Sequence, residues 1–496
     1  MCLNVYPDAF RYRSRWASVS EMHLNKLCDR ALLSLWCFRN PYIIQKTKKE
    51  LCDELVIFKN HIFIFSDKLC RFPDDIPLEL AWNRWYKKTI EDSARQILGA
   101  EQQLKRDPKN LFVDRNCQTR FPFDINITSE TRIHRIIVAK GAENACLSYT
   151  GKKRGSLLID SRIEGNGHKF IINRDGTFTS NNTFPFAVGF PTNRDTVFHI
   201  FDDVTLDILM TELDTLSDFA SYLTNKEDLF SSGKVILADG EEDILACYLS
   251  KIENDRHTIV SSNELEYPGY SFSNLWDEYV HNEGYLNKKE MDKTSYIWDE
   301  LIEKAFMHIK EGTSESSSIQ NYEQHNLLFT QLAELGRLER RVMADAMISS
   351  YYNIYELRNG KPFDFNTFTR TISSSEDPNK FIILLVATKP IDISLKDYRI
   401  KRKAHLEYAL KVCRYRNPDA KQICGIAYSA NRSEDDSEDI MCLDLNHWNE
   451  KDTEAIKQQM ELIDKTKHNY MKQSKIIEGK EYEDTVTILP ISSSNG

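Results

Sequence analysis

The chain has no run of 18 apolar residues, no Cys-x-x-Cys pair and no apolar segment near its start. A transmembrane helix needs about 20 mostly apolar residues, so the sequence predicts no membrane partner. The polar start predicts no secretory signal peptide. The 11 cysteines are odd in number and irregularly spaced. This spacing favours reduced thiols in a cytoplasmic protein, with Cys413 and Cys424 as core residues, over a disulfide framework or a zinc finger.

The sequence also lacks the short motifs of three large enzyme classes. It contains no Gly-x4-Gly-Lys-Ser/Thr phosphate loop, no His-Glu-x-x-His zinc motif and no Gly-x-Ser-x-Gly nucleophile setting. The net charge of −10 gives no general support for nucleic-acid binding. Basic runs nevertheless occur, and each is either a solvated surface or a phosphate contact. These runs lie at residues 46–49, 87–88, 152–154 and 399–403.

The length and the local patterns predict several α/β domains. A chain of 496 residues exceeds what one hydrophobic core accommodates. Helical periodicity is predicted at 15–38, where Ser20 is a candidate N-cap, and at 80–106. A polar stretch that starts at Gly312 marks a candidate boundary. We expect three domains, at residues 1–120, 121–312 and 313–496, with α/β, mixed α+β and α/β structure respectively.

The most informative segment runs from Glu50 to Lys68. Its two apolar runs, 55–58 and 62–65, consist mostly of β-branched and aromatic residues. Such residues favour strands, and the short polar stretch between the runs favours a tight turn. Charged residues occur only at the ends of the two strands. A β-hairpin that collects its charges at one edge is therefore expected.

The facing residues of this hairpin depend on the length of the turn. If Asn60 and His61 form a two-residue turn, Asp53 faces Lys68. A three-residue turn places Asp53 opposite Asp67 instead. Cross-strand partners share one face of a sheet. Either register therefore brings an acid or the lysine at the end of the second strand beside Asp53.

This pattern resembles the PD-(D/E)xK nuclease superfamily, and within it the nuclease-related domains, over roughly residues 15–115. The resemblance matches Asp53 to the metal-binding aspartate of the first strand, Glu50 to the glutamate just before it, and Lys68 to the motif lysine. It also matches Gln96 to a glutamine of the following helix and Glu21 to a glutamate of the first helix. The hairpin and the Trp-x-x-Trp segment that follows it are also similar to those of uncharacterised bacterial proteins.

One position departs from the superfamily pattern. Two residues before the lysine, where Asp, Glu or Gln is expected, the chain has Ser66. Asp67 could replace it if a β-bulge rotated that side chain, or Ser66 could ligate weakly through its hydroxyl. The resemblance implies Mg²⁺ or Mn²⁺ as the cofactor. It implies that the catalytic residues are Asp53, Lys68, Asp67, Glu50 and Gln96, and that the metal ligands are Asp53, Asp67, Glu50 and Glu21.

The resemblance implies a restriction-endonuclease-like fold, in which helices flank a mixed sheet. It also implies that the protein is a metal-dependent nuclease. Its substrate would be nucleic acid, DNA rather than RNA, in the cytoplasm of a bacterium. The resemblance also suggests a role in defence against phage, and homo-oligomerisation stays open. One alternative is a plain hairpin whose end charges form a surface ion pair. Another is an inactive nuclease-fold scaffold or nucleic-acid-binding protein. A third is a regulatory protein whose middle domain carries the function.

Overall fold

The computed structural model describes residues 18–122, 124–180, 183–254, 256–311, 322–356, 367–373, 377–430, 438–465 and 481–482. The chain divides into two compact units, whose main segments are Pro7–Lys289 and Glu290–Glu481. Strands and helices alternate in both units, and both contain mixed sheets. The predicted α/β fold class is therefore confirmed.

The first unit contains most of the helices and strands. In chain order its elements are α1 (Val19–Leu32), β1 (Cys37–Arg39), β2 (Tyr42–Ile44), β3 (Lys48–Glu50), β4 (Glu54–Phe58), β5 (His61–Leu69), α2 (Leu78–Tyr86), α3 (Asp92–Arg106), β6 (Arg132–Lys140), α4 (Glu143–Thr150), β7 (Leu158–Glu164), β8 (Ile171–Ile172), β9 (Phe178–Thr179), β10 (Ala187–Phe190), β11 (His199–Phe201), α5 (Thr205–Glu212), α6 (Leu216–Ser231), β12 (Val235–Ala238), α7 (Glu241–Ser250), β13 (Ile252–Glu253), β14 (Arg256–His257), β15 (Gly269–Phe272), α8 (Leu275–Val280) and α9 (Glu283–Asp292).

The central sheet of this unit has the strand order β1-β4-β5-β6-β11. The strands β1, β4 and β5 pair antiparallel, whereas β6 and β11 run parallel to β5. Helix α3 packs on one face of the sheet, and α1 packs on the other. Helix α6 also covers that second face, where Phe219 lies against Phe63 and Phe65. A second sheet has the order β10-β7-β12-β15.

The observed division differs from the three predicted domains. Strands β6 and β11 lie beyond the expected boundary at residue 120, yet they belong to the same sheet as β4 and β5. The core therefore continues through that position, because a sheet is completed by strands that are distant in sequence. The expected boundary at residue 312 lies outside the described residues.

The hairpin β4–β5 forms as predicted, but both predicted registers are wrong. Phe58 pairs with His61, so the two turn residues are Lys59 and Asn60. Lys59 adopts a left-handed backbone conformation, with φ of 54°, and this closes the turn one position earlier than expected. The paired residues begin with Glu54 opposite Phe65, and the N–H of Asp53, just before β4, donates to the Phe65 carbonyl.

The helices that flank the hairpin also differ in detail from prediction. The first helix is capped by Ser18 rather than Ser20, because Ser18 and Glu21 form a reciprocal capping box. The predicted helix 80–106 consists of α2, a π-helical turn at Lys87–Glu91, and α3. The indoles of Trp82 and Trp85 stack with centroids 5.7 Å apart and anchor α2 in the core.

The second unit is built around the sheet β16-β17-β18-β19. Its elements are α10 (Tyr296–Glu311), α11 (Tyr322–Ala333), α12 (Arg337–Glu356), β16 (Thr367–Ser373), β17 (Lys380–Ala387), α13 (Leu395–Arg416), β18 (Gln422–Ser429), β19 (Asp439–Cys442) and α14 (Glu450–Lys465). The helix α13 connects the parallel strands β17 and β18 and packs on both. The apolar strand at 381–387 and the basic helix at 395–416 are confirmed.

The cysteines of the second unit correct one sequence expectation. Cys424 and Cys442 face each other on β18 and β19 and form a disulfide, whereas reduced thiols were expected. Their spacing of 18 residues carries no motif, and only the antiparallel register brings the two sulfur atoms together. Cys413 is a buried free thiol, as predicted.

The close packing of α13 on β18 generates a stability prediction at Gly425. A methyl group added there would lie 2.8 Å from Leu406 Cδ1 and 3.1 Å from Leu410 Cδ2. We expect Gly425→Ala to destabilise the protein by about 1–3 kcal/mol through overpacking. Thermal unfolding checks this. The matched control is Gly99→Ala in α3, where the added methyl meets nothing within 4 Å and stability should hold or rise.

Candidate functional site

The structure brings Asp53 and Lys68 together at one end of β4 and β5. The Lys68 Nζ lies 3.7 Å from Asp53 Oδ2, and the aspartate side chain is 4% exposed. The same carboxylate oxygen accepts a hydrogen bond of 2.5 Å from the Asp67 backbone N–H. The hairpin thus holds a buried carboxylate beside a half-exposed lysine, as the resemblance implies for Asp53 and Lys68.

Gln96 joins this group from α3. The Ser66 hydroxyl lies 3.1 Å from Ser93 Oγ and 3.3 Å from Gln96 Oε1, which places Ser66 on the α3 side of the sheet. Alternate residues of a strand share a face, so Lys68 lies on the same side. Gln96 therefore contacts the end of β5 through Ser66.

Asp67 points to the opposite side of the sheet, toward α1. Its Oδ1 lies 3.5 Å from Lys140 Nζ, and that lysine also donates to Ser20 Oγ. Neither carboxylate oxygen of Asp67 accepts a hydrogen bond from a described residue. The β5–β6 register is continuous from His61 to Leu69. No bulge therefore rotates Asp67 toward Lys68.

The two predicted glutamate ligands lie further from the Asp53–Lys68 pair. Glu50 ends β3 opposite Tyr42, and the Glu21 carboxylate accepts the Ser18 N–H at 3.0 Å in the helix cap. The pKa of Tyr42 is raised by burial first, then by the charge of Glu50, with a smaller effect from Glu21. Both glutamates thus add negative potential to this end of the sheet.

The pKa of Asp53 is raised to about 6. Burial is the main cause, and the nearby Glu50 and Asp67 charges add to it. Lys68 and the backbone hydrogen bond from Asp67 oppose the rise without cancelling it. A divalent cation bound nearby would lower the pKa of Asp53, because a positive charge near a carboxylate stabilises its ionised form.

A polar cavity of about 310 Å³ adjoins the group. Glu50 and Gln96 are part of its wall, and three basic residues, Lys49, Arg95 and Arg106, also line it. The cavity therefore combines candidate site residues with cationic side chains. Phosphate oxygens are typical ligands for such lysines and arginines.

A different group satisfies the geometric test for a metal site. Among the described residues, one set of three His, Cys, Asp or Glu side chains has all its ligand atoms within 4.8 Å of one another: His134, His199 and Glu227. The four acids expected from the sequence do not form such a set. Sequence reasoning missed the three residues because they lie far apart in the chain and match no spacing motif; the one local signal was histidine in an apolar strand.

No family model, no curated protein and no solved structure matches the chain. In the parts of the chain that are described, none of the helices combines the length and the apolar character that crossing a membrane requires.

The raised pKa of Asp53 predicts a specific pH dependence of stability. The folded state favours the protonated form of Asp53. The free energy of unfolding is therefore highest below pH 4, where the acid is protonated in both states, and it decreases as the pH rises through about 6. We expect Asp53→Asn to gain stability relative to the native chain between pH 4.5 and pH 8, by up to about 3 kcal/mol.

Chemical denaturation at both pH values measures this difference. The control is Asp74→Asn, since Asp74 is fully exposed and its pKa is lowered by Arg71. An Asp53→Asn effect that is the same at both pH values would contradict a raised pKa at this carboxylate.

Proposed function

We propose that the first unit is a metal-dependent nuclease that hydrolyses phosphodiester bonds, with DNA as the substrate. The observation that carries the proposal is the buried Asp53 carboxylate, which lies 3.7 Å from Lys68 on the side of the sheet that also presents Gln96. The mixed sheet with helices on both faces is the architecture that the resemblance implies.

The donor set suits a hard cation. Asp53 and Glu50 would hold Mg²⁺ or Mn²⁺, which take oxygen ligands and retain water, whereas Asp67 faces Lys140 on the opposite side of the sheet and is not available to the same ion. When bound, the cation would supply charge neutralisation at the scissile phosphate and acidify a bound water.

The chain's own residues have separable roles in this proposal. Lys68 is partly exposed and would stabilise charge that develops on the phosphate. Gln96 lies against Ser66 and would position the attacking water or the substrate. Asp53 contacts both the lysine and the β5 backbone.

The cavity supports nucleic acid as the substrate. Lys49, Arg95 and Arg106 surround Glu50 and Gln96, so a polyanion could approach the acids despite the net charge of −10. Placement in the cytoplasm of a bacterium, and a role in defence against foreign DNA, belong to the same proposal and rest on the sequence resemblance alone.

Removal of Lys68 or Asp53 is the direct test of the proposal. We expect native protein to cleave plasmid and single-stranded DNA with Mg²⁺ or Mn²⁺. We expect Lys68→Ala to lose about 10²–10³-fold in rate, because a donor to the developing charge is removed. Asp53→Ala should fall to background. Gel assays with purified protein measure both rates.

The matched control for this test is Lys59→Ala, which removes a lysine from the turn at the other end of the same hairpin. Circular dichroism confirms that the variants are folded. Cleavage that survives in both Asp53→Ala and Lys68→Ala would disprove the assignment of the site.

The basic side chains that line the cavity lead to a separate prediction about DNA binding. We expect a Lys49→Ala/Arg106→Ala double variant to bind DNA more weakly across all sequences, with a slope of log K against log salt that is lower by about 2 in magnitude. Fluorescence anisotropy at several salt concentrations measures it. Lys109→Ala, outside the cavity lining, is the control, and equal losses in the two proteins would exclude the cavity as the binding surface.

A catalytically inactive scaffold or nucleic-acid-binding protein of the same fold is the second candidate. Two observations favour it: Ser66 stands at the position where the resemblance expects an acid, and Lys140 already pairs with Asp67. Under this reading, the native chain binds DNA through the cavity cations but neither cleaves it nor binds Mn²⁺. Calorimetry with Mn²⁺ distinguishes the two candidates.

A further inference from the structure

A second group of ligand-type side chains lies on the face of the central sheet that α6 covers. His134 is on β6, His199 on β11 and Glu227 on α6. Both histidine side chains are fully buried, and the glutamate side chain is 15% exposed. Because β6 and β11 are adjacent parallel strands, with His199 opposite Ile136, the two imidazoles lie on the same face of the sheet.

The three side chains converge on one carboxylate oxygen. His134 Nδ1 lies 2.8 Å from Glu227 Oε1, and His199 Nε2 lies 3.0 Å from the same oxygen. Bond lengths of about 2.0 Å to a tetrahedral zinc ion place its ligand atoms roughly 3.3 Å apart. The observed separations need to expand by only a few tenths of an ångström to admit such an ion in place of the two shared protons.

The surroundings orient the imidazoles as they are oriented in metal sites. His61 Nδ1 lies 2.8 Å from His134 Nε2, and the two rings stack with centroids 5.2 Å apart. A partner on the outer nitrogen of a ligating histidine sets the tautomer of the ring. His199 Nδ1, by contrast, is buried with no hydrogen-bond partner.

The basic side chains around the group are themselves paired with acids. Arg132 Nη1 lies 3.9 Å from Glu227 Oε2 but only 3.0 Å from Asp228 Oδ1. Lys226 forms its ion pair with Glu241. Glu227 therefore shares Arg132 with Asp228 and does not pair with Lys226.

We propose that His134, His199 and Glu227 bind a zinc-class transition metal ion, with water in the fourth position. Two imidazoles and one carboxylate suit Zn²⁺ rather than Mg²⁺, which takes oxygen ligands. The site is distinct from the proposed nuclease site. Val138 of β6 lies opposite Asp67, and His134 comes four residues before Val138, which is roughly 13 Å along the strand. The ion would join β6, β11 and α6.

The test is a titration of the full chain with Zn²⁺ after removal of metal by a chelator. Calorimetry should detect one high-affinity equivalent in native protein and in His168→Gln. His168 is a buried histidine elsewhere in the unit, so it serves as the matched control. The affinity should fall at least 10-fold in His199→Asn and in Glu227→Gln. Zn²⁺ should also raise the melting temperature of the native chain and the control, but not of the two site variants.

Substitution with Co²⁺ identifies the ligands directly. Nitrogen and oxygen ligation without thiolate charge-transfer absorption is expected, which separates this site from the free cysteines. Zn²⁺ affinity that is unchanged in both variants, thiolate absorption, or no binding by the native chain would each overturn the proposal. If His199→Asn does not fold, Glu227→Gln and the Co²⁺ spectrum of the native chain decide the matter.

Discussion

Both candidate sites depend on the parallel pairing of β5 with β6. The pairing runs without a bulge from His61 opposite Arg132 to Leu69 opposite Lys140. Successive side chains of a regular strand point to opposite faces of the sheet. The register therefore determines which face each side chain at the end of β5 occupies. Ser66 and Lys68 face α3 as a result, while Asp67 faces α1. The same register places His134 on the α6 face.

Each of two buried carboxylates at the end of this sheet has a lysine beside it. Lys68 lies beside Asp53, and Lys140 lies beside Asp67. An isolated buried carboxylate would be strongly destabilising, so these two lysines make the arrangement compatible with folding. Both nitrogen–oxygen separations exceed 3.4 Å, and the pKa of Asp53 stays raised. Lys68 therefore offsets the cost of burying Asp53 only in part.

The two faces of the sheet present different donor chemistry. The hairpin end offers carboxylates and a lysine, which suit oxygen-seeking cations and phosphate. The α6 face offers two imidazoles and a carboxylate, which suit borderline transition metals. An ion bound by His134, His199 and Glu227 would hold β6 and β11 to α6. Since β6 is the partner of β5, such an ion would also stiffen the frame that positions Asp53 and Lys68.

Local sequence patterns were sufficient for the α/β class, the two hairpin strands, the helix Leu395–Arg416 and the closeness of Asp53 and Lys68, because strand and helix preferences act over a few residues. The hairpin register was not predictable, since it depended on the left-handed conformation of Lys59. Only the tertiary structure decided the face of Asp67, the continuation of the first core beyond residue 120, and the meeting of His134, His199 and Glu227. Each results from pairing or packing between segments far apart in the chain, which no local pattern encodes.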